Sequence, residues 1–165
     1  MAEDREFDRL LGENARYAES FDRSALTAAP LRRLAILACM DARLDVEAVL
    51  GLRPGEAHII RNAGGLATED AVRSLIVSQQ LLGTDRIVVI GHTGCGLLNA
   101  DEGALRERLT AATGETVDMR FGSFDDLEET IRITVERLQT HPWLKRVPVH
   151  GLAFDVATGR LREVA

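Results

Sequence analysis

The chain has 165 residues, 45% of them hydrophobic and 28% charged, with a formal net charge of -6. This is the size and composition of one soluble domain, and the acidic balance excludes a broad basic face for nucleic acid. No apolar run approaches the ~18 residues that cross a bilayer, and the opening MAEDREFDRL is acidic and amphipathic rather than a secretory leader.

Residues 7–21 place Phe7, Leu10, Leu11, Ala18 and Phe21 on one helical face. That stripe has to be covered by its own domain or by a partner. Residues 34–39 form a continuous apolar run, as a strand buried on both faces does. A short helix over 45–50 closes at Gly51, and 57–61 is a second short strand. Thr68 caps a helix with Glu69 and Asp70 in its first turn; Val72, Leu75, Ile76 and Leu82 line its inner face, and Gly83 is its stop. Residues 86–91 are the clearest buried strand, and 101–112 are helical. Ser123 to Asp126 resembles a capping box for a helix carrying Leu127, Ile131, Val135 and Leu138 as far as His141-Pro142. Residues 147–156 are strand-like, with Pro148 predicting an edge position. The turn 157–159 leads into a last strand over 161–164. Strands separated by helices predict a parallel sheet flanked by helices, with a ligand site beyond the strand C-termini where the strand order reverses.

Two strands end in unusual residues: Cys39-Met-Asp41-Ala-Arg43, and Gly91-His92-Thr-Gly-Cys95-Gly96. If these strands are neighbours, Cys39, His92 and Cys95 converge. Each alone has a plainer reading, the cysteines as small core filler and His92 as a hydrogen-bonded turn residue. Together, two thiolates and an imidazole are a zinc set, and three protein ligands with a fourth position open mark a catalytic site. A redox dithiol pair stays open as well, although there is no C-x-x-C motif. Asp41 and Arg43 read plainly as a surface ion pair. Beside a metal, Asp41 can accept a hydrogen bond from bound water while Arg43 keeps it ionised and oriented.

The pattern Cys39-x-Asp41-x-Arg43 with His92-x-x-Cys95 resembles the signature of β-class carbonic anhydrases of the short bacterial type. Arg61-Asn62-Ala63-Gly64, Gly91-His92-Thr93 and Gly151-x-x-Phe154-Asp155-x-x-Thr158-Gly159-x-Leu161 agree with it, and the resemblance covers residues 30 to 165. It implies an α/β fold whose mostly parallel sheet has the order 2-1-3-4 plus an antiparallel end strand. It implies one Zn²⁺ per chain on Cys39, His92 and Cys95. It also implies Asp41 and Arg43 as catalytic residues for the reversible hydration of carbon dioxide to bicarbonate and a proton. A homodimer or dimer of dimers is implied too, with the 7–21 helix packed on the partner. Members with a separate inhibitory bicarbonate pocket carry Trp and Tyr where Ile36 and Phe154 stand, so that pocket is expected to be absent. In some members the aspartate of the motif turns to ligate zinc, which Asp41 could do if Arg43 released it.

The expectation is therefore a single domain over 1–165, with 1–29 as an N-terminal helical arm, in a cytoplasmic enzyme without nucleic-acid or membrane partners. Two rivals remain: a hydrolase of CS₂ or COS on the same zinc site, and a non-catalytic zinc or thiol-switch protein. His58 is expected to be a satisfied structural histidine, His141 to cap helix carbonyls, His150 to sit in an edge strand and Trp143 to anchor packing. Arg132 and Arg137 are expected to pair with Glu128, Glu129 and Glu136.

Overall fold

The computed structural model describes residues 5–23 and 25–165; residues 1–4 and 24 of the expected arm lie outside that range. The elements are α1 (Arg5–Glu19), β1 (Leu34–Cys39), α2 (Val46–Leu50), β2 (Ala57–Asn62), a 3₁₀ turn (Ala63–Gly65), α3 (Glu69–Gln80), β3 (Arg86–His92), α4 (Glu102–Thr113), α5 (Leu127–Thr140), β4 (Val149–Phe154) and β5 (Leu161–Glu163). Among the described residues five strands form one sheet in the order β2-β1-β3-β4-β5. The first four are parallel and β5 runs antiparallel to β4. No helix of the described residues is long and apolar enough to cross a membrane.

Alternation along β1 builds two cores. Ala35 and Leu37 join Val72 and Leu75 of α3 and Ile131, Val135 and Leu138 of α5 on one face. Ile36, Ala38 and Cys39 point into the other with Leu44, Val46, Ile90, Cys95 and Phe154. The Leu/Ile/Ala run of β1 is thus apolar at every position because both of its faces are covered. Gly151 of β4 explains how α5 lies so close to the sheet: a Cβ there would stand 2.5 Å from Ile131 Cγ2 and 3.1 Å from Val135 Cγ2.

Thr68 caps its helix as predicted, and the other helix ends show where the sequence reading shifts. Asp45, Thr68 and Asp101 cap α2, α3 and α4 by accepting the N–H of Ala48, Ala71 and Ala104. For α5 the cap is Asp126, accepting from the Glu129 N–H at 2.9 Å, and not Ser123. Ser123 instead donates its hydroxyl to Glu102. α3 ends at Leu81, and Gly83 adopts its left-handed φ of +78° two residues further on. β4 is an interior strand, not an edge. Pro148 sits one residue before it, where its missing N–H removes no rung, and its carbonyl accepts from Ile87 N–H at 3.0 Å. His150 therefore lies within the sheet, 3.6 Å from a Glu163 carboxylate oxygen on β5.

Trp143 is 70% exposed and meets His141 edge-on at 5.5 Å, so it anchors no core. His141 accepts the Trp143 N–H on Nδ1 and caps no carbonyl among the described residues. Arg132 pairs with Glu128 and Glu129 as expected, whereas Arg137 forms no ion pair among the described residues. α1 buries none of its residues on its own chain; Leu10, Leu11 and Phe21 are all more than half exposed.

The root of the arm is pinned by a polar chain. His58 Nε2 lies 2.8 Å from the Ala28 carbonyl oxygen. A carbonyl can only accept, so Nε2 carries the proton and Nδ1 accepts from the Ser78 hydroxyl at 2.8 Å. Ser78 in turn receives the Thr84 hydroxyl at 2.8 Å. His58 is thus the structural histidine the sequence implies.

Glu102 ties α4 to the loop before α5. Its Oε1 accepts the N–H groups of Gly122 and Ser123 at 2.8 Å each, and its Oε2 pairs with Arg106. The Ser123 N–H leads in pulling its pKa from 4.5 down to about 2. A lowered carboxylate stabilises the fold above its unfolded pKa and loses that contribution as pH falls through the folded one. Glu102→Gln should therefore lower the melting temperature at pH 7 and flatten the acid dependence between pH ~4.5 and ~2. Thermal scans of both proteins by circular dichroism across that range check this; parallel pH profiles would refute it.

Candidate metal centre

The parallel pairing of β1 with β3 brings the two polar strand ends together. Cys39 ends β1, His92 ends β3, and Cys95 follows one tight turn later. One ligand atom from each lies within 4.8 Å of the other two, and all three residues are buried. Both cysteines are free thiols.

His92 decides what this cluster is for. Its Nδ1 lies 3.0 Å from the Thr93 carbonyl oxygen, so Nδ1 bears the proton and Nε2 presents a lone pair. That Nε2 is buried without a hydrogen-bond partner. A buried acceptor left unsatisfied costs on the order of 1–3 kcal/mol, unless a cation takes the lone pair. Histidine ligands of metals are held this way, with the other ring nitrogen donating to a carbonyl. Burial pushes the Cys95 thiol above its ordinary range, with the Leu97 N–H opposing and Cys39 adding to the shift. A divalent cation reverses that balance, because a coordinated thiol is deprotonated outright. The donor set of two sulfurs and one imidazole nitrogen fits zinc.

Asp41 and Arg43 form a forked pair: Nε donates to Oδ1 at 2.9 Å and Nη2 to Oδ2 at 2.7 Å. The Arg43 backbone N–H adds a third bond to Oδ1 at 2.9 Å. The guanidinium first and this N–H second hold the Asp41 carboxyl well below the usual carboxylate range. Arg43 also donates to the Gly94 carbonyl at 2.9 Å, which ties the Cys39–Arg43 loop to the His92–Cys95 turn. Asp41 Oδ2 stands 3.8 Å from His92 Nε2, so the carboxylate faces the position a metal would take. With zinc in place the formal charges balance: two thiolates and Asp41 against Zn²⁺ and Arg43.

Neighbouring segments fix these loops. Thr93 N–H donates to the Phe154 carbonyl, and the Thr93 hydroxyl accepts the Val156 N–H. Asn62 staples the turn after β2: its Oδ1 accepts the Leu66 N–H, and its Nδ2 donates to the Leu66 carbonyl and to Thr68 Oγ1. Within that turn Gly65, at φ +66°, lies against the ends of β1 and β3. A Cβ there would be 3.0 Å from Cys39 N and from Ile90 O. The Gly64-Gly65 pair straight after a strand is the sequence signal that could have located this close approach.

The metal cluster opens on a cleft of about 320 Å³ lined by Met40, Ala63, Gly64, Gly96 and Leu97 beside Cys39, Asp41 and Cys95. A roomier groove of about 530 Å³ between α3 and α5 contains none of the metal set. Ile36 and Phe154 are buried in the core beneath the site. The metal set should hold about one zinc per chain, and Cys95→Ser should lose it. Elemental analysis of both purified proteins tests this; retained stoichiometric zinc in the variant would count against the donor set.

A family model described as carbonic anhydrase matches residues 34–161. β-Carbonic anhydrase 1 of Mycobacterium tuberculosis is 42% identical over 158 residues, covering 95% of this chain and 96% of that protein. A carbon disulfide hydrolase of Acidithiobacillus thiooxidans is 38% identical over 152 residues, covering 79% of this chain and 76% of its own. The crystal structure of a carbonic anhydrase from Streptococcus mutans superposes with a TM-score of 0.91 at 40% identity, over 96% of this chain and 97% of that one.

Proposed function

Since the chain belongs to the β-carbonic anhydrase family, we propose that its Cys39–His92–Cys95 site holds one zinc ion and hydrates carbon dioxide reversibly to bicarbonate and a proton. The observation that carries this reading is the partnerless buried Nε2 of His92 facing two thiols, with the Asp41 carboxylate held 3.8 Å away. Zinc supplies a Lewis acid that makes a coordinated water usable as a nucleophile near neutral pH.

The remaining work belongs to the chain. Asp41 accepts a hydrogen bond from the attacking group and so orients it toward the substrate carbon. Arg43 keeps Asp41 ionised and turned to the site through its fork, a geometry lysine cannot supply. The cleft wall of Met40, Ala63 and Leu97 suits a substrate that offers little to hydrogen-bond. Product protons pass to buffer.

A homodimer fits the same reading. Leu10 and Leu11 of α1, and Phe21 just beyond it, are each more than half exposed on their own chain, which leaves a second copy as their cover. Residues 1–29 then act as an arm on a single domain over 1–165. A cytoplasmic location suits a site that needs both thiols reduced.

Two outcomes test the reading. Stopped-flow hydration of CO₂, with H₂S release from CS₂ and COS measured alongside, separates the substrates. Full zinc loading without CO₂ hydration above background would sink the proposal. Asp41→Asn should keep its zinc and lose about 10²–10⁴ in rate, the usual range for removing an acid–base group; a metal-binding protein without catalysis would have no such rate to lose. For the arm, a Leu10→Glu, Leu11→Glu double variant should elute as a monomer in light-scattering chromatography where the wild type does not, and a monomeric wild type would refute the dimer.

A further inference from the structure

Arg61 lies on the edge strand β2 and contributes nothing to the metal set, yet its guanidinium grips the loop that does. Nε donates to the Cys39 carbonyl at 2.9 Å, and Nη2 donates to the Asp41 carbonyl at 2.7 Å. Both acceptors lie where the β1–β2 ladder runs out. Cys39 is the last residue of β1 in register with β2, opposite Asn62, and the Met40 N–H makes the final rung to the Asn62 carbonyl. Beyond that rung the strand gives the loop no further support. The Arg61 fork takes over there, holding two carbonyls two residues apart on one planar group.

That spacing has a direct effect on the side chains. In an extended segment the carbonyls of residues i and i+2 point the same way, and their Cβ atoms share one face. A fork that binds both carbonyls therefore keeps Cys39 and Asp41 on a common side. Met40 between them is 66% exposed. The loop ends up between two arginines, Arg61 on its backbone and Arg43 on the Asp41 carboxylate.

The geometry points to Arg61 as a positioning residue that sets where the Cys39 thiolate and the Asp41 carboxylate stand relative to each other. This inference rests on the reading of the site as a zinc centre for CO₂ hydration. Arg61 belongs neither to the metal cluster nor to the lining of its cleft, and it acts through the backbone of residues 39–41. Lysine at this position would carry the charge on a compact ammonium, without the planar fork that fixes both carbonyls in one geometry.

The test uses the full-length zinc protein with Arg61→Met and Arg61→Lys. Zinc affinity is read by chelator competition, the fourth-position environment by the d–d bands of the cobalt-substituted protein, activity as kcat/KM for CO₂, and fold by the melting temperature. Partners of metal ligands typically cost about 10–100-fold in metal affinity or activity when removed. Arg61→Met should fall in that range for zinc affinity and kcat/KM and shift the cobalt bands, while still binding one metal per chain at saturation. Arg61→Lys should recover part of the loss. If both variants keep wild-type affinity, cobalt spectrum and kcat/KM, whatever their melting temperatures, Arg61 is structural only and the inference falls. A wild type that fails to hydrate CO₂ would overturn the functional reading instead, and zinc affinity and cobalt bands would still decide the role of Arg61.

Discussion

β1 and β3 lie side by side in parallel, Leu34 opposite Arg86 and Ala38 opposite Ile90, although α2, β2 and α3 separate them in the chain. Everything chemical in this molecule follows from that pairing. Parallel strands bring their C-terminal ends to the same edge of the sheet, so the Cys39 loop and the His92–Cys95 turn emerge together. The order β2-β1-β3-β4 places the point where the strand order reverses at this seam, where open α/β sheets bind their ligands. Two apolar faces make the pairing stable, since β1 and β3 are buried on both sides. A metal set assembled from two loops then needs only to be kept from drifting. Arg43 does this by bonding Asp41 on one loop and the Gly94 carbonyl on the other.

Much of this was legible in the sequence because the signals are local. The apolar runs of β1 and β3, the cap Thr68, and the paired motifs around Cys39 and His92 each declare themselves within a few residues. The sheet order, by contrast, came from a family resemblance and not from any periodicity. What the sequence misplaced depends on atoms far along the chain. Pro148 argued for an edge strand, because a proline inside a ladder costs a rung. One residue of offset put it outside β4, and the strand became interior. Ser123 looked like a cap, yet the Glu102 carboxylate draws it away and Asp126 takes the role. Trp143 is expected to anchor packing and His141 to cap helix carbonyls, yet the two rings meet edge-on beside solvent instead.

The gripping residues of the site were invisible for the same reason. Arg61 and Gly65 stood in or beside a recognised motif, but nothing in a linear pattern says that a guanidinium on β2 reaches the carbonyls of Cys39 and Asp41. The Gly64-Gly65 pair marks a close approach, but it does not say that the partners are β1 and β3, whose backbone a Cβ added at Gly65 would meet at 3.0 Å. Ligands can be read from residue type and spacing, because few side chains bind zinc. Their supports are read from distances, because any donor of the right reach can serve.

The hydrogen-bonded chain at the root of the arm, from Ala28 through His58 and Ser78 to Thr84, has a consequence for assembly. It is joined by backbone bonds from Leu31 to Gly55 and from Arg32 to Glu56. The segment leading to α1 is thus anchored to β2, α3 and the entry to β3 before any second copy arrives. Ordering a segment at the moment of association is a large part of what weakens binding by tethered elements. Here much of that conformational entropy is already lost when the chain folds on itself, so in the proposed dimer a second copy would meet an arm whose root is already ordered.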